Sequence, residues 1–315
     1  MALTHLPPHA ARGAGRRVGA STLAALGARL TSLLRMDLLL GADLLRTRME
    51  EEFTLITTII AEASYDEHTR TQLHTLAAGA AGLAGWTAHD CGDPVAAAAM
   101  YQAGSRLAGA VGADDMGALC TAMLAYMLCA TERPSDALDL LNAAAGDVRR
   151  GRISGRTAAA VCCFSANAHA SLGDGRACAR SIEAAHTALD RRDTPGMFTL
   201  NSWMTSGFLE LETGLSLFRL GRPDQALSHL ATFNSDMGAS KHHRRTAAIG
   251  LFVMAEAHLQ LGEVEAAVSH ANQARAFKVS SAQASLRAGR VHRALTAHSE
   301  TPCVRDYLEC VPSPH

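Results

Sequence analysis

The side chains that could do chemistry in this sequence are mainly histidines and cysteines, and their spacing is not that of a catalytic or metal site. The chain has 15 histidines and eight cysteines in 315 residues. It contains neither a C-x-x-C pair nor an H-E-x-x-H motif, so the ligand spacing of common zinc sites is missing. A G-x-S-x-G nucleophile elbow and a phosphate-binding P-loop are also absent from the sequence. We therefore expect no enzymatic activity, no metal and no cofactor, and we expect the cysteines to be buried, reduced thiols.

The most concentrated charge lies at residues 241–245, which read Lys-His-His-Arg-Arg. Neighbouring cations raise the local positive potential, so one interpretation is a patch for phosphate or for an acidic partner. The other interpretation, which we favour, is an ordinary solvated loop. The formal net charge of the whole chain is −1, which argues against a chain-wide surface for nucleic acid.

The elements that would have to position any site are helices. Hydrophobic residues make up 48% of the chain and aromatic residues only 4%, and alanine and leucine supply much of the apolar content. Both are strong helix formers. No apolar run reaches the roughly 20 residues that a membrane span needs, and the N-terminal residues lack the apolar core of a signal peptide. These features predict an all-α, cytoplasmic protein without a membrane association.

An internal repeat organises the chain, and short turns mark its units. The turns recur at spacings of 40, 41, 48 and 41 residues, and their first residues serve as anchors. The anchors are Gly92, Glu132, Gly173, Gly221 and Gly262. Small residues lie seven before each anchor (Gly85, Ala125, Ala166, Gly214, Ala255) and five after it (Ala97, Ala137, Cys178, Ala226, Ala267). Because two helices approach closely only where bulk is missing, the pattern predicts helix pairs in which small residues face small residues.

This pattern resembles the tetratricopeptide repeat, although its period exceeds the usual length of about 34 residues. The resemblance covers about residues 72–278 and implies a right-handed α-solenoid whose first helices line a concave groove. We assign residues 71–280 to five repeats, residues 21–70 to N-terminal capping helices and residues 281–315 to C-terminal capping helices with a tail. Residues 1–20 are basic and contain Pro and Gly, so we expect a disordered arm.

The resemblance also suggests which side chains point into the groove. Positions six and three before the anchors, together with aromatic residues in the longest spacing, give a predicted ligand or partner groove. Its members are Trp86, His89, Tyr126, Asn167, Phe198, Trp203, Phe218 and Glu256. Such a surface could hold an apolar ligand or a peptide, and Asn167 could bond a peptide backbone. The alternative is that these aromatic residues only pack between repeats.

Four segments suggest a more specific resemblance: Leu83–Trp86, Val111–Asp115, Ala257–Glu263 and Val304–Glu309. They are similar to the regulatory region of actinobacterial helix-turn-helix (XRE-type) transcriptional regulators. In that family a DNA-binding domain precedes the helical repeats. Here residues 21–62 match the leading regulatory helices instead, so we expect either a stand-alone regulatory domain or a chain whose start has been truncated.

The resemblance implies a regulatory or sensor protein that binds a peptide, a small molecule or a protein partner and influences transcription. Direct DNA binding is not expected, since three arginines in the N-terminal arm can contact phosphates but cannot read bases. The alternative is a general protein–protein scaffold with neither a ligand nor a role in transcription. Homodimerisation stays open.

Overall fold

The computed structural model describes residues 17–191, 198–237 and 243–310, and all regular secondary structure in these ranges is helical. The α-helices are α1 (Ala20–Leu40), α2 (Arg46–Glu62), α3 (Glu67–Asp90), α4 (Pro94–Gly109), α5 (Asp114–Ala130), α6 (Pro134–Arg149), α7 (Gly155–Ser171), α8 (Gly175–Leu189), α9 (Ser206–Arg219), α10 (Pro223–Met237), α11 (Arg244–Leu261), α12 (Val264–Ala276), α13 (Ala282–Thr296) and α14 (Pro302–Cys310). A short 3-10 helix, Leu200–Trp203, precedes α9. The all-α prediction is confirmed, while most of the predicted N-terminal arm lies outside the described residues.

Ten of these helices pack as five consecutive pairs, α3/α4, α5/α6, α7/α8, α9/α10 and α11/α12. Each predicted anchor lies in the turn between the two helices of a pair and has a positive φ. Glycine adopts this conformation without a Cβ penalty, and four of the five anchors are glycines. The exception is Glu132, with φ 61°. Proline at the first position of α4, α6 and α10 then favours helix initiation, because its φ is already helical.

The small residues of the repeat are buried in the contacts within the pairs, as the spacing predicted. Their neighbours are larger than expected, however. A Cβ added to Gly85 would lie 2.7 Å from the ring of Tyr101, and one added to Gly214 would lie 2.7 Å from Leu230. At these two positions a small residue on the first helix therefore accommodates a bulky residue on the second.

Glycine and proline mark helix boundaries at the two ends of the chain. Helix α1 ends before Gly41, which has φ 94°, and α14 begins at Pro302. We expected these helices to cap the repeat. Helix α1 also contacts α11, and α13 contacts α3, so the first and last helix pairs are held together. This closure encloses the inner faces of the first helices.

Among the described helices, none combines the length and the apolar character that a bilayer span requires.

Candidate functional site: an aromatic chamber

A cavity lies between the first helices of the repeats, and we call it the chamber. Four of its wall residues share one repeat position, nine before the anchors: Leu83, Met123, Phe164 and Glu212. Trp86 and Tyr126, at the predicted position six before the anchors, lie one helical turn further on and also line the chamber. The inner faces of these first helices thus form part of the wall of a cavity.

A continuous series of aromatic rings forms much of this wall. Successive ring centroids lie 6.5 Å apart for Trp86 and Tyr126, 4.8 Å for Tyr126 and Phe164, 6.0 Å for Phe164 and Trp203, and 4.9 Å for Trp203 and Phe208. These separations are typical of favourable aromatic pairs. The five rings come from α3, α5, α7, the 3-10 helix and α9, so the chamber depends on the whole central part of the fold.

The chamber is narrow. Its volume is about 80 Å³. A cavity that holds a single water has a volume of about 10–15 Å³, so the chamber is larger than an ordinary packing defect.

One side of the chamber is closed by a buried ionic group that we call the closure cluster: Asp37, Asp90, Arg245 and Ser281. Arg245 donates to Asp37 at 2.8 Å and to Asp90 at 3.1 Å, and the Ser281 hydroxyl donates to Asp90 at 2.6 Å. The guanidinium also lies 5.1 Å from the ring centroid of Trp86. The cluster therefore joins α1, α3, α11 and the start of α13.

Arg245 corrects our interpretation of residues 241–245 as a solvated loop. Its side chain is only 11% exposed, because two carboxylates remote in sequence compensate its charge. Lys241 and His242 lie outside the described residues. His243 and Arg245 line the chamber, and Arg244 is exposed. Part of this segment thus belongs to the core of the fold.

Burial and charge shift the pKa values within the closure cluster in opposite directions. Burial raises the pKa of Asp90, although Arg245 and Ser281 oppose that shift. For Arg245, burial alone lowers the pKa, but the attraction of Asp37 and Asp90 outweighs it and the net shift is upward. The guanidinium is therefore a permanent cation that holds two helices through their acidic side chains.

His89 lies behind the aromatic wall and not in it. Its ring is 6.1 Å from that of Trp86 and 6.0 Å from that of Tyr126, and burial lowers its pKa to about 4. Its Nε2 atom has no hydrogen-bond partner among the described residues. His89 thus supports the wall as a neutral ring.

The Tyr126 hydroxyl donates to Gln283 Oε1 at 3.1 Å, which links α5 to α13.

Asn167 is engaged differently from the prediction. Its Nδ2 atom donates to Glu212, and its Oδ1 atom accepts from Arg219, so both ends of the amide already have partners. It is therefore not free to bond a peptide backbone. Burial raises the pKa of Glu212, and burial together with repulsion from Arg287 lowers that of Arg219. A nearby pair joins Glu256 to Arg287 at 2.6 Å.

Five of the eight predicted groove residues do not line the chamber: His89, Asn167, Phe198, Phe218 and Glu256. Phe198 packs over Gly79 of α3 and borders a different surface depression, and Phe218 packs with the apolar residues of α9–α12. Sequence reasoning missed Phe164 and Glu212, although both occupy the repeat position one turn before the positions that we used. It also missed Phe208, which lies in the same long spacing as Phe198 and Trp203.

Comparison with known proteins yields no assignment: no family model matches the chain, and no curated protein does either. Within the described ranges no group of three histidine, cysteine or acidic side chains is placed to hold a metal ion. The eight cysteines are free thiols.

Proposed function

We propose that this chain is a non-enzymatic regulatory protein that senses a small ligand bound in the chamber. The observation that carries the proposal is the convergence of six aromatic residues, the series of five rings and Tyr101, on one cavity in a chain with 8 phenylalanines, 4 tyrosines and 2 tryptophans. Aromatic and apolar walls with a few polar groups are typical of small-molecule sites. Glu212 and Arg245 supply ionisable groups in this wall.

The wider context of the proposal rests on sequence resemblance. In this view the five helix pairs form a right-handed, tetratricopeptide-like solenoid, and the protein acts in the cytoplasm through a protein or peptide partner to influence transcription. Direct contact with DNA is not part of the proposal, and homodimerisation stays open. The continuous repeat of anchors and small residues supports the tetratricopeptide-like solenoid. The similarity to XRE-type regulators supports the partner and the role in transcription.

A scaffold role is the second candidate, and one observation favours it. Leu39, Leu40 and Leu44, around the end of α1, are 45%, 51% and 67% exposed. Exposed apolar side chains that cluster are typical of protein-binding surfaces. A scaffold would use this outer surface and would need no ligand in the chamber.

Ligand capture separates the two candidates. The purified protein is incubated with a small-molecule extract of its native cells, washed, and analysed by mass spectrometry. An Ile249→Phe variant adds bulk to the chamber wall, and Val95→Phe, at a site 80% exposed, is the matched control. We expect a compound that the parent and Val95→Phe retain and Ile249→Phe loses. Equal recovery from all three folded proteins, or no recovered compound, would favour the scaffold.

A further inference from the structure

A second cavity adjoins the chamber and has a different character. Its volume is about 450 Å³, and its wall includes three arginines from two helices: Arg219 of α9, and Arg287 and Arg290 of α13. We call it the arginine groove. Tyr126, Ile249 and Gln283 line both this groove and the chamber, so the two cavities are neighbours that share part of their walls.

The cationic charge of the arginine groove is only partly compensated. Arg287 is paired with Glu256, whereas Arg219 contacts the uncharged amide oxygen of Asn167. Neither Arg219 nor Arg290 forms an ion pair with any residue that the structure describes. Glu132 is the carboxylate that borders the groove, and it is exposed.

Repulsion between the arginines agrees with this distribution. The charge of Arg287 acts with burial to lower the pKa of Arg219, and the attraction of Glu212 does not offset the two effects. Guanidinium groups present several N–H donors in a rigid plane that suits two acceptor oxygens at once. An oxyanion placed between these side chains would relieve their repulsion and accept their free donors.

A further polar atom in the shared wall lacks a partner. Gln283 accepts from the Tyr126 hydroxyl through Oε1, but its buried Nε2 atom has no hydrogen-bond partner among the described residues. Leaving a buried donor unpaired costs free energy, and a ligand oxygen at the junction of the two cavities would remove that cost.

We propose that the arginine groove binds the carboxylate of a small amphipathic acid whose apolar end extends past Tyr126 and Ile249 into the chamber. This inference rests on the proposed function, because the apolar end occupies the chamber. It adds the chemical class of the ligand: an organic acid with an aromatic or acyl tail. The narrow chamber suits a slender tail, and the arginines favour its anion over the corresponding alcohol.

The test compares phenylbutyrate with the uncharged phenylbutanol, which has the same apolar end. Binding is measured by isothermal titration calorimetry on the full chain at low ionic strength, with inorganic phosphate as a head group without a tail. We expect phenylbutyrate to bind at least about tenfold more tightly than phenylbutanol, since hydrogen bonds to charged groups contribute more than neutral ones. Phosphate alone should bind more weakly than phenylbutyrate.

Variants assign the preference to the groove. Arg219→Gln should bring phenylbutyrate close to phenylbutanol, and Arg290→Gln should reduce the preference severalfold. Because Arg290 is exposed, its variant carries the test if Arg219→Gln does not fold. Arg293→Gln, also exposed on α13 and outside the groove, is the matched control and should retain the full preference.

Several results would overturn the inference. Equal affinities for the two compounds, or a preference that persists in both groove variants, would remove the arginines from ligand recognition. Binding of phenylbutanol without phenylbutyrate would refute the anion site and leave the chamber as a ligand site. If neither compound bound, the acid-binding inference would fail, and the proposed function would then depend on the extract experiment alone.

Discussion

Replacing Arg245 by glutamine tests the closure of the fold most directly. The side chains of Asp37 and Asp90 are 2% and 0% exposed, and Arg245 is their shared cationic partner. Removing one member of a buried ion pair costs about 3–5 kcal/mol, because the remaining charge is left without compensation. Burial has already raised the pKa of Asp90, so proton uptake by that carboxyl relieves part of the cost. We therefore expect Arg245→Gln to lower the free energy of unfolding by about 3 kcal/mol, the lower end of that range.

Urea unfolding at neutral pH measures this loss, with circular dichroism for helix content and tryptophan emission for the chamber wall. Arg244→Gln is the matched control, since Arg244 is exposed and donates to the carbonyl of Phe277. Its loss should stay below about 1 kcal/mol. A double variant, Asp37→Asn with Arg245→Gln, removes one uncompensated carboxylate and should recover part of the stability. If Arg245→Gln unfolds within 1 kcal/mol of the parent, the closure cluster does not hold the two ends together.

Four further substitutions test the repeat and the buried histidine. Ala137→Leu places bulk at a residue with no exposure and should cost about 1–3 kcal/mol by urea unfolding, so a parent-like transition would refute the repeat register. Glu132→Gly should raise the melting temperature, because a non-glycine residue at φ 61° is strained by about 1 kcal/mol. Gly221→Ala, at φ 69°, should lower the melting temperature. Shifts of the same sign would contradict this reasoning. Since the pKa of His89 falls from 6.5 to about 4 on folding, the free energy of unfolding should be at its full value above pH 6.5 and decline by roughly 3 kcal/mol towards pH 4. When unfolding is measured across the pH range, His89→Phe should weaken that decline. An unchanged profile would assign the decline to other groups.

The helix pairs could be predicted because their signals are local. Each turn, and the small residues at fixed distances on either side of it, reflects contacts between neighbouring helices. The five copies of this pattern reinforce one another. The same register also contains six residues of the chamber wall, at the positions nine and six before the anchors. Phe164 and Glu212 lie three residues before the positions that we selected, which is one turn earlier on the same helix face. Extending the predicted inner face by one turn would have identified them.

The closure of the fold could not be predicted from the repeat. Asp37 and Arg245 are 208 residues apart, and neither belongs to a repeated position that we had identified. A single sequence records no pairing between such distant charges, so residues 241–245 were interpreted from their local composition alone. Asn167 illustrates the same limit, since its partners Glu212 and Arg219 come from the next repeat.

The closure cluster and the chamber are physically linked, and this determines how a ligand could act. Arg245 holds two carboxylates of the cluster and also contacts the ring of Trp86, so movement of α11 away from α1 would change the chamber wall. A ligand that binds only the closed arrangement stabilises it by about 2.7 kcal/mol at one hundred times its dissociation constant. That gain is similar to the loss expected for Arg245→Gln. Under the proposed function, ligand binding would therefore offset a loss of about this size in the closure cluster.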